Sequence, residues 1–200
     1  MDIVYHALKK DLLLTAKTAY EQKLMAGTSG NMSVFLPEKG HMIITPSSYS
    51  YEMMEEKDLV VIDLDGKRIE GIHNPSSEWR MHAKIYKDIP RIKAVVHTHS
   101  PYATSFAVVQ KEIPVILIEM GPFLKGKVEV SPYAAQGSEE VGINAVPILM
   151  RKNACLLANH GAVTVGKSIA EAYVNSVYLE DSAKIYHMAC AVGTPVVIEE

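Results

Sequence analysis

The feature that most constrains this chain is an apolar run, residues 94–96, that leads directly into His97-Thr98-His99. Side chains of an extended strand alternate between its two faces, so His97 and His99 are expected to lie on one face. Two imidazoles on one face can bind a single metal ion. The same spacing also occurs in strands that bind no metal, so the pair alone leaves both interpretations open.

A third histidine, His160, follows the apolar segment 154–158 and precedes Gly161, where a glycine allows close approach of the backbone. Catalytic zinc sites commonly use three protein ligands and keep one position for water or substrate, and three histidines are one such set. His97, His99 and His160 would supply it, two from one strand and one from a distant loop. Taken alone, His160 fits a hydrogen-bonded core histidine better.

Glu78 and His82 form a rival pair, because they are four residues apart and share one face of a predicted helix. Such a pair can bind metal but is more often a surface contact. Glu78 also lies in the first turn of that helix, where the helix dipole favours a carboxylate without any further role. A carboxylate beside a metal can be a ligand, a base, or both in turn, but spacing cannot show that contact.

Three short loops rich in small polar residues contain Gly30-Asn31, Ser47-Ser48 and Ser76-Ser77. The last loop precedes a predicted helix, whose first backbone N–H groups are unpaired and can bind a phosphate without arginine. Each loop alone is typical of an ordinary turn. The sequence lacks both glycine-rich patterns of nucleotide-binding loops, so nucleotide binding has no support.

Hydrophobic periodicity predicts hairpins mixed with helices, and therefore an α/β fold with a mixed, largely antiparallel sheet covered by helices. Helices are predicted at 2–25, 52–57, from Glu78 to beyond Tyr86, at 102–109, 138–150 and from 169 to near 193. Strands are predicted at 32–36, 41–45, 59–62, 67–70, 94–99, 113–118, 128–130, 154–158 and 162–165. Ser138 is expected to cap its helix, and Pro147 to kink it or end it early.

The composition argues against several classes of protein. The formal net charge is -3 without any lysine and arginine cluster, which argues against a general nucleic-acid binder. The charged, amphipathic N-terminus predicts neither a signal peptide nor a membrane span. Cys155 and Cys190 lie in apolar surroundings and are expected to be buried free thiols in a reducing compartment. We therefore expect a cytoplasmic protein without membrane partners, with residues 1–200 forming a single domain.

Five motifs occur in an order that resembles the class II sugar-phosphate aldolase superfamily, which also contains epimerases. They are Gly27-Thr28-Ser29-Gly30-Asn31, Ile44-Thr45-Pro46-Ser47, Pro75-Ser76-Ser77-Glu78-Trp79-Arg80, His97-Thr98-His99 and Asn159-His160-Gly161. The resemblance covers roughly residues 5–190, and five ordered motifs are far more specific than any one of them. Within the superfamily, the likeness is greatest to the aldolases that act on L-fuculose 1-phosphate.

The resemblance implies a three-layer αβα sandwich and a homotetramer with fourfold symmetry, whose active sites lie between neighbouring subunits. It implies one Zn²⁺ per subunit, with the ligands His97, His99 and His160. Glu78 is then implied as a resting zinc ligand and as the catalytic acid/base. The residues that match the phosphate-binding positions of a sugar-phosphate substrate are Gly30, Asn31, Ser47, Ser48, Ser76 and Ser77.

The implied reaction is the reversible retro-aldol cleavage of a ketose 1-phosphate, such as L-fuculose 1-phosphate. Its products would be dihydroxyacetone phosphate and an aldehyde such as L-lactaldehyde. Zinc would polarise the substrate carbonyl and stabilise the charge that develops as the C3–C4 bond breaks. The loops would fix the phosphate, and Glu78 would exchange the proton at the carbon that is nucleophilic in synthesis.

Two positions depart from the pattern of these aldolases. Ile118 stands where they have a tyrosine that reaches a neighbouring subunit's site and protonates the aldehyde oxygen. We therefore predict Glu119 as the substitute acid, with a plain surface or interface carboxylate as the alternative. Ser48 stands where they have glycine, and its hydroxyl can still donate to phosphate. Tyr133 is a further candidate for substrate contact.

Two other reactions at the same zinc site stay open: 4-epimerisation of a pentulose 5-phosphate and dehydration of a methylthio-pentulose phosphate. The epimerases typically carry Asp at the position of Glu78, which favours the aldolase. A non-catalytic, adducin-like scaffold would keep the fold and lose the ligands, all of which are present here. A zinc-dependent aldehyde-lyase is therefore the leading prediction.

Overall fold

A computed structural model describes residues 3–198, and an eight-stranded sheet runs through the middle of this part of the chain. The strands are β1 (Asn31–Leu36), β2 (His41–Ile44), β3 (Val60–Asp63), β4 (Arg68–Glu70), β5 (Ala94–Thr98), β6 (Val130–Ser131), β7 (Ala154–Leu157) and β8 (Gly161–Gly166). Their order is β4-β3-β2-β1-β5-β8-β7-β6, and only β6 with β7 is parallel. The predicted mixed, largely antiparallel sheet is confirmed.

Two layers of helices cover the sheet, as expected for a three-layer αβα architecture. The helices are α1 (Ile3–Glu21), α2 (Trp79–Asp88), α3 (Pro101–Val108), α4 (Glu140–Leu149) and α5 (Ile169–Val192). Side chains of α2 and α4 share an apolar cluster with one face of the sheet, and those of α1, α3 and α5 pack on the other. Within the described range, every helix is too short or too polar to cross a membrane.

Strand β5 lies near the middle of the sheet, between β1 and β8, and all of its residues are buried. Its alternation places Val95 in the cluster with α2 and α4, and Val96 in the cluster on the opposite face. His97, two residues beyond Val95, therefore points toward the α2 side. Asn31 of β1 lies directly opposite His97 in the strand register and shares that face.

The predicted strand at 113–118 is wrong for most of its length. Only Ile113 forms a β-bridge, with Val128, and the chain then leads into a single π-helical turn, Met120–Leu124. Pro114 has no N–H to donate to a neighbouring strand. The buried residues of this segment pack under α5 instead, which explains why it is apolar without being a strand.

Two predicted helices near the N-terminus differ in extent. Helix α1 ends at Glu21, and Lys23 beyond it has left-handed backbone geometry with φ 62°. The helix predicted at 52–57 is a single 3-10 turn, Glu56–Asp58. Residues 1, 2, 199 and 200, which belong to the predicted domain, lie outside the described residues.

Three predictions in the C-terminal half need correction. Ser138 does not cap α4, because its hydroxyl donates to the carbonyl of Ala135 and the helix begins two residues later. Pro147 lies inside α4 and does not end it early. Cys155 is a buried free thiol as expected, but Cys190 is exposed near the end of α5.

A candidate metal centre

Four side chains that are distant in sequence meet at one end of β5. Glu78, His97, His99 and His160 each place one possible ligand atom within 4.8 Å of the others. Glu78 Oε2 lies 3.0 Å from His97 Nε2, and Glu78 Oε1 lies 3.1 Å from His160 Nε2. The Nε2 atoms of His97 and His99 are 3.1 Å apart. The structure therefore brings together all four residues named as metal ligands from the sequence.

The turn between β7 and β8 brings His160 to this cluster, and Gly161 makes the close approach possible. A Cβ atom on Gly161 would lie 2.4 Å from the carbonyl oxygen of Thr98, which no side chain can occupy without a backbone shift. It would also lie 3.2 Å from a ring carbon of His99 and 3.3 Å from one of His97. The expected close backbone approach at this glycine is confirmed.

The ring of His97 is oriented by a backbone contact. Its Nδ1 lies 2.9 Å from the carbonyl oxygen of Ala162, so Nδ1–H donates there and Nε2 is directed at the cluster. Glu78 Oε1 and His160 Nε2 are buried, and neither has a hydrogen-bond partner among the described residues. A cation between them would satisfy both atoms, and one carboxylate with three imidazoles is a set that suits Zn²⁺.

The protonation states also suit a metal ligand set. Burial opposes the charge on Glu78, but the neighbouring His97 and His160 outweigh it and hold the pKa of that carboxyl well below its usual range. Burial, and then His97 and His160, lower the pKa of His99 to about 4. At neutral pH the cluster thus contains an ionised carboxylate and a neutral His99, the forms that bind metal.

His82, the rival partner of Glu78, does not join the cluster. Its Nδ1 lies 2.6 Å from the hydroxyl oxygen of Ser33, and its Nε2 lies 2.5 Å from Asn31 Oδ1. Burial lowers the pKa of His82 to about 3, so the ring is neutral. Both ring nitrogens are therefore engaged in the core, and no lone pair of His82 is available to a metal.

A cavity of about 320 Å³ opens beside the cluster, with Glu78 and His99 in its wall. The residues predicted to bind phosphate all line it: Gly30, Asn31, Ser47, Ser48, Ser76 and Ser77. The structure thus joins three separate polar loops into one site next to the candidate metal centre. A wall of hydroxyl groups, an amide and a helix N-terminus is suited to a phosphate group.

Backbone contacts hold these loops in place. Pro46 and Pro75 form an isolated antiparallel bridge, and the Ser47 N–H donates to the carbonyl oxygen of Asn74 at 3.0 Å. Gly30 has φ 76°, and a Cβ there would lie only 2.8 Å from the carbonyl oxygen of His97. A glycine is therefore required where the first loop enters β1.

Three polar residues that line the cavity were not named as binding residues from the sequence. Thr28 and Ser29 belong to a recognised motif but were not named as binding residues, and Gln136 lies in irregular chain before α4. Gly137 follows Gln136, and a Cβ there would lie 3.1 Å from the carbonyl oxygen of Ser77, which shows how closely the two segments approach. No local pattern around Gln136 signals that approach.

Two further candidates lie away from the cavity in the described chain. Glu119 is half-buried at the start of the π-helical turn and is not among the residues that line the cavity. Its neighbour Ile118 is 79% exposed. Tyr133 is 66% exposed and likewise does not line the cavity. Within one subunit, neither Glu119 nor Tyr133 is brought to the cluster.

Comparison with known proteins connects this site to a family. The family described as "Class II Aldolase and Adducin N-terminal domain" matches residues 10–187. A 5-deoxy-D-ribulose 1-phosphate aldolase of Bacillus thuringiensis serovar kurstaki is 33% identical over 192 residues, which is 96% of this chain and 90% of the relative. An L-fuculose phosphate aldolase of Methanococcus maripaludis is 36% identical over 169 residues, 84% of this chain and 90% of the relative.

A solved structure shows the same architecture. An L-fuculose 1-phosphate aldolase superposes with a TM-score of 0.92 at 36% sequence identity. The alignment covers 97% of this chain and 91% of the other. The likeness therefore extends over almost the entire fold.

Proposed function

The chain belongs to the class II aldolase and adducin family, and we propose that it is a zinc-dependent aldolase that cleaves a ketose 1-phosphate. One observation carries this proposal: a cluster of Glu78, His97, His99 and His160 lies beside a cavity built from small polar loops, with Glu78 and His99 in the cavity wall. A metal centre and a phosphate site side by side fit a sugar phosphate whose carbonyl is activated next to its phosphate-bearing end.

The proposed zinc ligands are His97, His99, His160 and, at rest, Glu78. Zinc bound there would polarise the substrate carbonyl and stabilise the negative charge that develops on it. The phosphate is proposed to bind the loops of the cavity wall, where Ser77 is exposed two residues before α2. Anchoring the phosphate fixes the distance from substrate carbonyl to the histidine cluster, which lowers the entropic cost of reaching the reactive geometry.

Cleavage of the C3–C4 bond requires two proton movements, one at each side of the bond. The C4 hydroxyl loses its proton as the aldehyde forms, and C3 gains a proton as dihydroxyacetone phosphate forms. We assign the proton at C3 to Glu78, whose Oε1 has no hydrogen-bond partner among the described residues. Glu119 is proposed for the C4 oxygen, and this requires a neighbouring subunit to bring it to the site.

The phosphate half of the substrate is better defined than the aldehyde half. The loops that line the cavity surround the ketose end, which L-fuculose 1-phosphate and 5-deoxy-D-ribulose 1-phosphate have in common. Cleavage of the first would release L-lactaldehyde, and cleavage of the second would release acetaldehyde. We propose L-fuculose 1-phosphate as the leading substrate and 5-deoxy-D-ribulose 1-phosphate as the competitor suggested by the Bacillus relative.

A homotetramer in the cytoplasm, with sites between subunits, completes the proposal. Exposed apolar side chains on α3, on α5 and before the π-helical turn support assembly, among them Val108, Val109, Ile118 and Met188. The sugar phosphate is the proposed small-molecule partner.

The proposal is tested by metal content and by cleavage, measured on wild type beside His97→Ala. We expect about one zinc per chain in wild type, loss of zinc in the variant, and release of dihydroxyacetone phosphate from one of the two ketose phosphates. Zinc without cleavage of either would favour the epimerase or dehydratase. If the protein binds no metal and shows no activity after zinc is added, the result would favour the non-catalytic, adducin-like scaffold.

A further inference from the structure

A connected chain of buried polar side chains runs from Glu78 and Asn31 in the cavity wall into the core. Asn31 Nδ2 lies 2.8 Å from Glu78 Oε2, and Asn31 Oδ1 lies 2.5 Å from His82 Nε2. His82 Nδ1 lies 2.6 Å from Ser33 Oγ, which lies 2.7 Å from Tyr86 OH. All five residues are between 0% and 3% exposed. Buried polar groups of this kind are costly unless every one is paired, and here they are paired in series.

The direction of each hydrogen bond follows from the carboxylate outward. An ionised carboxylate only accepts, so the amide nitrogen of Asn31 must donate to Glu78. The carbonyl oxygen of Asn31 then faces His82 and also only accepts, so His82 Nε2–H must donate. The neutral ring carries one proton, and therefore its Nδ1 accepts.

The rest of the chain is fixed in the same direction. Because His82 Nδ1 accepts, the hydroxyl of Ser33 must donate to it. That hydroxyl has no second proton, so the Tyr86 hydroxyl donates to Ser33, whose carbonyl oxygen also lies 3.0 Å from it. Every bond therefore points from Tyr86 toward Glu78, an arrangement in which each bond polarises the next.

We infer that His82 is a positioning residue, which holds the amide of Asn31 so that it donates to Oε2 of Glu78 and leaves Oε1 directed at the histidine cluster. An amide can rotate by half a turn at little intrinsic cost. The Glu78 carboxylate on one side and a donor at the position of His82 Nε2 on the other together fix one orientation of Asn31. If the amide turned over, two oxygens would face each other across the Asn31–Glu78 contact.

The location of His82 suits this role. It lies one helical turn after Glu78 on α2, so both side chains project from the same face of the helix. Asn31 comes from β1, and the contact thus fixes the start of α2 against the sheet at the point where the candidate ligands meet. The consequence for catalysis rests on the proposed function, whereas the orientation of the side chains does not.

The first test is made on metal-free wild-type protein. Histidine labelled with nitrogen-15 gives distinct shifts for protonated and unprotonated ring nitrogens, and the His82 signals are assigned by their absence from His82→Gln. We expect a protonated Nε2 and an unprotonated Nδ1. The opposite tautomer would overturn the inference, because Asn31 would then need no fixed orientation. This outcome does not depend on whether the protein is an aldolase.

The second test uses two variants that differ by one methylene. His82→Gln can place an amide N–H near the former Nε2 and keep the donor to Asn31. His82→Asn can place its amide only near the former Nδ1. We expect zinc affinity, measured by competition with a chelator, to fall by about 10–100-fold in His82→Asn and to be largely restored in His82→Gln.

Controls separate this effect from lost stability and from failure of the proposed function. The free energy of unfolding is measured for both variants. His41→Gln is the control for the loss of a histidine outside this chain of hydrogen bonds, because the ring of His41 is hydrogen-bonded to Tyr5. Equal zinc affinity in wild type and both folded variants would overturn the inference, as would equal loss in both. Wild type that binds zinc but cleaves no ketose phosphate would refute only the proposed function.

Discussion

The site has two halves that differ in burial and in how their side chains are held. The metal half is the cluster of Glu78, His97, His99 and His160, and the loop half consists of the three polar loops that line the cavity. Glu78 and His97 are almost completely buried, and both are oriented by hydrogen bonds with the sheet, because Asn31 of β1 donates to Glu78 and His97 donates to the carbonyl oxygen of Ala162 in β8. The loop half contains exposed hydroxyl groups, and Ser48 adopts a left-handed backbone conformation with φ 54°. Changes in the first half should therefore alter chemistry and metal binding, and changes in the second should alter substrate affinity.

The strongest test of that division is Glu78→Gln. The amide keeps the shape of the side chain but removes the charge and the proposed proton exchange. We expect kcat to fall by about 10²–10⁴-fold, the usual contribution of a positioned acid or base, with little change in KM. Steady-state kinetics measure both values. A large rise in KM at unchanged kcat would place Glu78 in substrate binding instead.

Gly161→Ala should disturb the metal half through packing alone. The new Cβ would meet the carbonyl oxygen of Thr98 at 2.4 Å, so the turn that carries His160 must shift. We expect the free energy of unfolding to fall by about 1–3 kcal/mol, as for other overpacked sites, and zinc affinity to fall as well. Gly193→Ala is the matched control, because a Cβ there has nothing within 4 Å. Unchanged stability and zinc affinity would contradict the close packing.

Ser77→Ala tests the loop half. A hydrogen bond to a charged phosphate contributes about 1.5 kcal/mol or more, so KM for the sugar phosphate should rise by roughly tenfold while kcat is retained. Since Ser77 is exposed, its loss should leave the thermal unfolding midpoint unchanged. Ser76 is buried and its hydroxyl accepts from the N–H of Glu78, so Ser76→Ala should instead lower stability.

The buried half should also give the protein a pH-dependent stability. Burial lowers the pKa of His82 from 6.5, its ordinary value in an unfolded chain, to about 3 in the folded protein. Between these two pH values, only the unfolded chain takes up the proton. The free energy of unfolding therefore falls as pH falls below about 6.5, by at most about 1.4 kcal/mol per pH unit for this group. Denaturant unfolding of the metal-free protein should show a shallower pH slope for His82→Gln. Parallel slopes would contradict the assignment.

Ser48→Gly should have the smallest effect, and in the opposite direction. Glycine adopts left-handed backbone geometry more readily than serine, so we expect stability to rise by at most about 1 kcal/mol. KM should rise slightly if the Ser48 hydroxyl donates to phosphate. A clear loss of stability would mean that the hydroxyl makes a contact that outweighs the backbone strain.

The sequence indicated which residues form the Glu/His cluster, because local rules govern part of its assembly. The period-two alternation of β5, continued one residue beyond its end, predicts that His97 and His99 share one face, and the glycine after His160 signals a close approach. Glu78 was identified through family resemblance, since no spacing rule connects it with a strand that follows α2. The pairing of Asn31 with His82 depends on the β1–α2 contact and could not be read from either segment.

The sequence was less informative where an apolar segment packs without a strand partner. Residues 113–118 have the composition of a buried strand, but Pro114 and the following π-helical turn direct them under α5 instead. Gln136 reaches the cavity only because irregular chain before α4 folds back toward the second serine loop. Such placements are set by tertiary packing, which leaves no periodic signal in the residues themselves.

The position of His160 between β7 and β8 also has a consequence for the synthesis of the protein. His97 and His99 are translated well before it, and β8 is the strand that pairs with the histidine-bearing β5. A nascent chain that ends before the turn between β7 and β8 contains His97 and His99 but lacks His160 and the strand that pairs with β5. Tight metal binding should therefore begin only after the sheet closes. The ion would then stabilise completed subunits selectively, so the metal-bound fraction in a cell would report how many chains have finished folding.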